Sequence, residues 1–82
     1  MHARSEVDVR GVGGEELDRI VVQALDDAIR ADLPTLRIIH GKGTGVLRDR
    51  VAELLKKDTR VRQFRLGAWN EGGAGVTVAE LE

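Results

Sequence analysis

Between Glu15 and Ala31 the apolar residues Leu17, Ile20, Val21, Ala24, Leu25, Ala28 and Ile29 follow the three-and-four spacing that lays one continuous stripe along an α-helix. Glu15, Glu16 and Asp18 near its start and Arg30 near its end suit the helix dipole. Asp32-Leu33-Pro34 ends it, because proline disfavours helical backbone in the residue before it. This helix constrains the fold more than any other segment, because strand patterns stand on both sides of it.

Ahead of it, Glu6 to Arg10 alternates strictly. Val7 and Val9 take one face and Glu6, Asp8 and Arg10 the other, as in a half-buried strand that Gly11, Gly13 and Gly14 then break. Behind it, Leu36 to His40 is richer in apolar residues and predicts an interior strand. Two strands joined through such a helix form a right-handed crossover and run parallel. The pattern then repeats. A second helix is predicted from Val46 to Lys57, with Leu47, Val51, Leu54 and Leu55 inward. Val61–Leu66 and Gly75–Leu81 read as two further strands, separated by the turn-prone stretch Gly67–Ala74. The short last connection makes the fourth strand antiparallel. The order β-α-β-α-β-β predicts an α/β fold, a two-layer sandwich with a four-stranded mixed sheet and both helices on one face.

Eighty-two residues suffice for one domain, placed at residues 6–82 after a loose start or linker remnant at residues 1–5. Cysteine is absent, which excludes disulfides and thiolate metal sites. No apolar run approaches the roughly 20 residues of a membrane span, and no signal peptide opens the chain, so a cytoplasmic location without membrane contact is expected. The net charge of −1 hides a strong segregation. Residues 1–33 carry −4, residues 34–66 carry +6 and residues 67–82 carry −3. A basic middle third in which arginine dominates suits phosphate ligands, and a solvated charged surface is the plainer alternative. Phe64 and Trp69 are the only aromatic residues, which argues against a base-stacking platform and for binding led by backbone phosphates.

The densest local signal is Ile38-Ile39-His40-Gly41-Lys42-Gly43-Thr44-Gly45, a strand running into a glycine-rich turn and then a helix. Three glycines in five residues let backbone N–H groups converge, and the helix N-terminus adds partial positive charge. Gly41, Lys42, Gly43, Thr44, Gly45 and Arg48 are therefore candidate phosphate ligands. The spacing matches neither a nucleotide P-loop nor the dinucleotide GxGxxG pattern. A tight turn needing positive φ would require only two of these glycines. His40 closes the second strand at the end where open α/β sheets place ligands, and can either titrate near neutrality or simply hydrogen-bond the backbone. Asp8 and Arg10 sit near the same end of the first strand. A carboxylate to accept a proton or orient a metal, a histidine for acid–base work and an arginine for developing phosphorane charge are the parts of a phosphodiesterase. An exposed ion pair between Asp8 and Arg10 is the alternative. His2 is assigned no role, and the spacing of Glu71, Glu80 and Glu82 shows no metal-ligand pattern.

Three blocks together resemble the Smr (small MutS-related) domain family: Val7-Asp8-Val9-Arg10-Gly11, the central Ile38–Arg48 signature, and Gly72-Gly73-Ala74-Gly75-Val76-Thr77-Val78-Ala79-Glu80-Leu81. The resemblance spans about Glu6 to Leu81. It implies a βαβαββ sandwich similar to the C-terminal domain of bacterial initiation factor three. It also implies a nicking endonuclease acting on DNA or RNA with little sequence specificity. Such a domain is expected at the C-terminus of a larger MutS-like ATPase active in recombination suppression and DNA repair, or on stalled ribosomes. The partners implied are nucleic acid and the ribosome. Many family members carry histidine at the position of Arg10, whereas the MutS-linked branch usually carries arginine, as here. The family's active-site positions fall on Asp8, Arg10, His40 and Gly41–Gly45, and Mg²⁺ or Mn²⁺ at Asp8 is left open, as is a non-catalytic docking role.

Overall fold

In the computed structural model, which describes residues 5–82, the chain forms β1 (Glu6–Asp8), α1 (Gly14–Arg30), β2 (Thr35–Ile39), α2 (Val46–Lys57), β3 (Val61–Leu66) and β4 (Val76–Leu81). Two short 3₁₀ turns, Trp69–Glu71 and Gly73–Gly75, fill the connection before β4. Most of the loose start expected at residues 1–5 lies outside the described residues. Ser5 is described, and its carbonyl accepts the Arg37 N–H at 2.8 Å.

The sheet order is β1-β2-β4-β3, with β1 parallel to β2 and β4 antiparallel to both β2 and β3. The first three strands therefore share one direction, as the two helical crossovers demand. The last strand inserts between β2 and β3, and this makes β2 interior. One parity of the sheet (Val9, Leu36, Ile38, Ala79, Leu81) joins Leu17, Val21, Leu25 and Ala28 of α1 and Val51 and Leu55 of α2 in a single core cluster. Both helices thus cover one face, in the expected α/β two-layer arrangement. On the opposite face Glu6 stands beside Arg37, and Arg37 and Arg65 flank Val78 in register. There Val76 and Val78 are buried although no helix covers them.

Several boundaries differ from expectation by one or two residues, and the local reason is plain at the end of β1 and at the end of α1. The first strand ends at Asp8 rather than Arg10, because the Asp8 carboxylate takes the Arg10 N–H at 3.0 Å and turns the chain. Val9 still donates to Ile39 at 2.9 Å, and Gly11 follows at φ +77°. Helix α1 closes with Asp32 in the left-handed region (φ +56°), its N–H donating to Ile29 while the Leu33 N–H donates to Ala28. That is a Schellman stop in which aspartate takes the place usually given to glycine, and Pro34 lies just beyond it.

Candidate functional site

The C-terminal ends of β1 and β2 lie side by side, so the turn after Asp8 and the glycine-rich segment after Ile39 meet at one end of the sheet. Gly41 takes φ +84°, and a methyl placed on it would stand 3.5 Å from Arg10 Cγ and 3.6 Å from Arg10 Cδ. The aliphatic stem of Arg10 therefore lies along the start of the glycine segment. The guanidinium grips Asp8, with Nε to Oδ1 at 3.0 Å and Nη2 to Oδ2 at 2.7 Å. These charge-assisted bonds hold the Asp8 carboxyl well below its usual range, at about 2. Asp8 and Arg10 form an exposed ion pair, but one placed at the rim of the glycine segment.

From Gly41 the segment runs to Gly45, which takes φ +91° at the N-cap of α2 and has no side chain to offer its N–H groups, while the Thr44 hydroxyl oxygen accepts the Val46 N–H at 3.5 Å. The His40 and Gly41 N–H groups both donate to the Gly75 carbonyl, at 3.0 and 2.9 Å. Among the described residues the N–H groups of Lys42, Gly43, Thr44 and Gly45 donate to no protein acceptor, and they precede the N-terminus of a twelve-residue helix. Donors of this kind at a helix start suit an oxyanion. A Cβ on Gly45 would stand 2.5 Å from Arg48 Nη2, so the Arg48 guanidinium overlies the loop. Gly45→Ala is expected to displace that flexible tip and to cost ~1–2 kcal/mol through the left-handed backbone, read as a lower urea midpoint with unchanged slope.

His40 does not join this group. It follows β2 on the helix side of the sheet, opposite in parity to Asp8, and is 4% exposed. The Gly41 carbonyl, 2.9 Å from Nδ1, can only accept, so Nδ1 carries a proton and donates to it. Nε2 lies 2.8 Å from the buried Thr77 hydroxyl, which donates to it in that tautomer. Both ring nitrogens are thereby engaged inside the fold, where they tie the start of the glycine segment to β4.

The open face of the sheet carries a cleft of about 510 Å³ lined by Glu6, Arg10, Arg37, Ile39, Gly41, Lys42, Asn70, Glu71, Gly72, Gly75 and Val76. Arg10, Gly41 and Lys42 were expected at a site, whereas Arg37, Asn70 and Glu71 were not. Arg37 was legible as the one charged residue inside an otherwise apolar strand. Asn70 and Glu71 arrive through a turn whose position no periodicity encodes. Glu71 is held by Arg65 at 2.7 Å and accepts the Ala68 N–H at 2.8 Å, which lowers its carboxyl to about 2. Both Asp8 and Glu71 are depressed in the folded chain. Their contribution to stability is therefore complete above their ordinary values of 3.8 and 4.5 and is lost as pH falls through about 2. Acid titration of the fold is expected to weaken it between about pH 4.5 and 2, and an Asp8→Asn/Glu71→Gln variant to flatten that slope in circular dichroism.

Among the described residues no three His, Asp or Glu side chains converge as metal ligands, and both Asp8 oxygens are already held by Arg10. Asp8 alone does not amount to a resident cage for Mg²⁺ or Mn²⁺.

A family model described as Smr domain matches residues 7–82. The chain is 75% identical over 76 residues, 93% of its length, to a protein named endonuclease MutS2 of Gemmatimonas aurantiaca. It is 58% identical over the same share of its length to a protein of that name from Symbiobacterium thermophilum. It spans only 9% and 10% of the length of these two relatives. Among solved structures, the crystal structure of the Smr domain of Thermus thermophilus MutS2 superposes with a TM-score of 0.88 at 48% identity, covering 94% of this chain and 96% of that one. YdaL, a stand-alone small MutS-related protein of Escherichia coli, superposes with a TM-score of 0.90 at 24% identity over 95% of this chain and 64% of that one, a likeness of fold.

Proposed function

This chain belongs to the Smr domain family, and from that premise we propose that it is an endonuclease domain that nicks DNA or cleaves RNA with little sequence specificity. The observation that carries the reading is the seating of the Asp8–Arg10 pair against Gly41, at the rim of a loop with unspent backbone donors. Loop N–H groups, Lys42 and Arg48 hold one phosphate, and Arg10 turns from Asp8 to the phosphate under attack, where its fork stabilises the developing charge. Once Arg10 has turned, Asp8 loses the main cause of its low pKa and becomes a better proton acceptor for the attacking oxygen. That oxygen is a 2′-hydroxyl in RNA, whose attack on phosphorus breaks the bond to the 5′-oxygen of the next nucleotide, and a water in DNA, whose attack breaks one P–O ester bond. In either case solvent water protonates the departing oxygen. His40, expected as a proton carrier, acts in this scheme as a positioning residue that fixes Gly41 through its carbonyl. The relatives' length supports a place within a larger MutS-like chain. Recombination suppression, DNA repair, ribosome rescue and a cytoplasmic location belong to the same proposal.

The test is conversion of supercoiled plasmid to the nicked form, and of single-stranded RNA to fragments, by the chain and by Asp8→Ala. Product that disappears in the variant supports the reading. Product that is absent from the parent chain, or survives in the variant, overturns it. A non-catalytic docking module is favoured by one observation, the engagement of both His40 ring nitrogens within the fold. It predicts salt-sensitive binding with no product.

A further inference from the structure

Trp69 is the only tryptophan of the chain and is 91% exposed, the largest apolar surface that the described residues leave in water. A ring of this size normally contributes its burial to the core of so small a domain. Here it stands on a turn held rigid from several sides. The Ala68 carbonyl accepts the Glu71 and Gly73 N–H groups at 2.8 and 2.9 Å, Glu71 is locked to Arg65, and Gly67 donates to Val76 at 2.9 Å. The same connection ends in Gly75, whose carbonyl accepts the His40 and Gly41 N–H groups and on which an added Cβ would meet the Gly41 backbone at 3.4 Å. Trp69 and the glycine loop are therefore fixed relative to one another. The next residue, Asn70, lines the cleft with Arg10, Arg37 and Lys42. Among the described residues Lys42 joins no ion pair, and the Asn70 amide has no hydrogen-bond partner.

We propose that Trp69 is a stacking platform for an unpaired nucleobase, set on the rim of the cleft whose cations hold the phosphates of the same strand. The inference rests on the nucleic-acid reading above and adds a preference that reading lacks, for single-stranded segments over duplex. The cleft that Asn70 lines holds Lys42, unpaired among the described residues, together with Arg10 and Arg37. The two arginines sit in exposed pairs with Asp8 and Glu6, and these cations suit a polyanion. A flat aromatic face on the turn beside that cleft suits a base already out of its stack. The scarcity of aromatics argues against a base-stacking platform, and the exposure of Trp69 revises that expectation for a single base, which needs only one ring.

Trp69 emission is a built-in probe, because no second tryptophan contributes. Titration of the chain at low salt with a short single-stranded oligodeoxyadenylate is expected to quench it saturably. The matched duplex and inorganic polyphosphate, which fill the cations without offering an unpaired base, are expected to leave it nearly unchanged. Trp69→Ala should weaken single-strand binding about tenfold, measured by anisotropy of a labelled oligonucleotide, and Trp69→Phe should recover most of the loss. Binding with unchanged emission, or equal affinity of Trp69→Ala and the parent chain, overturns the proposal. Nicking that survives in Asp8→Ala, with quenching retained, overturns the catalytic scheme and leaves this proposal standing. Absence of binding to any oligonucleotide overturns both.

Discussion

Asp8→Ala is expected to lower strand cleavage at least about a hundredfold while leaving nucleic-acid binding intact or slightly stronger. The asymmetry follows from the pair. Removing the carboxylate takes away the proton acceptor but releases the Arg10 guanidinium, which Asp8 otherwise holds at 2.7 Å. Arg10→Ala should lose cleavage to a similar degree and weaken binding as well, because the cation itself is gone. Arg10→Lys should recover binding but little of the cleavage, since an ammonium cannot present the two parallel N–H bonds of the fork. Both side chains are exposed and neither belongs to the core, so circular dichroism should report folded variants throughout. The assays use supercoiled plasmid and single-stranded RNA, each with Mg²⁺, Mn²⁺ and EDTA. Cleavage by Asp8→Ala at the parent rate in every condition would remove Asp8 from the scheme. Equal loss of binding in Asp8→Ala would show the pair to be a structural clip.

His40→Ala is expected to destabilise the fold by ~2–4 kcal/mol. The substitution opens a cavity beneath the glycine segment and leaves the buried Thr77 hydroxyl and the Gly41 carbonyl without their partner. Thr77→Val removes the orphaned hydroxyl, so the double variant should be less damaged than the two single effects imply together. Cleavage separates two roles for the ring. An asparagine amide can still donate to Gly41 but cannot relay a proton near neutral pH. If His40 positions the loop, His40→Asn recovers a substantial share of activity and keeps the parent's pH profile. If His40 carries the proton, His40→Asn is as inactive as His40→Ala although it is more stable.

Much of this molecule was readable without coordinates. The helix stripe from Leu17 to Ile29, the alternation at Val7 and Val9 and the glycine segment after Ile39 each announce their element, because period and turn chemistry are local properties of the chain. The antiparallel direction of β4 followed from the length of its connection. Its insertion between β2 and β3 did not, since strand order is decided by which faces bury best once helices and strands have met. The same limit applies to charge. The middle third reads as a basic block, yet Arg37 pairs with Glu6, Arg50 with Asp18 and Arg60 with Asp26, each an acid from the first third. Folding interleaves what the sequence had segregated and leaves Lys42 unpaired among the described residues.

By itself, then, the sequence determined the elements, the crossover handedness that sets three strands parallel, and the residues able to handle phosphate. Only the tertiary structure decided which of those residues meet. Asp8 and His40 stand at neighbouring strand ends, but pleating sends Asp8 to the open face and His40 into the helix side. The odd-and-even parity of paired strands becomes a shared or opposed face only once the register is fixed. Trp69 likewise gained its meaning from the fold, because exposure belongs to the packed surface rather than to the residue.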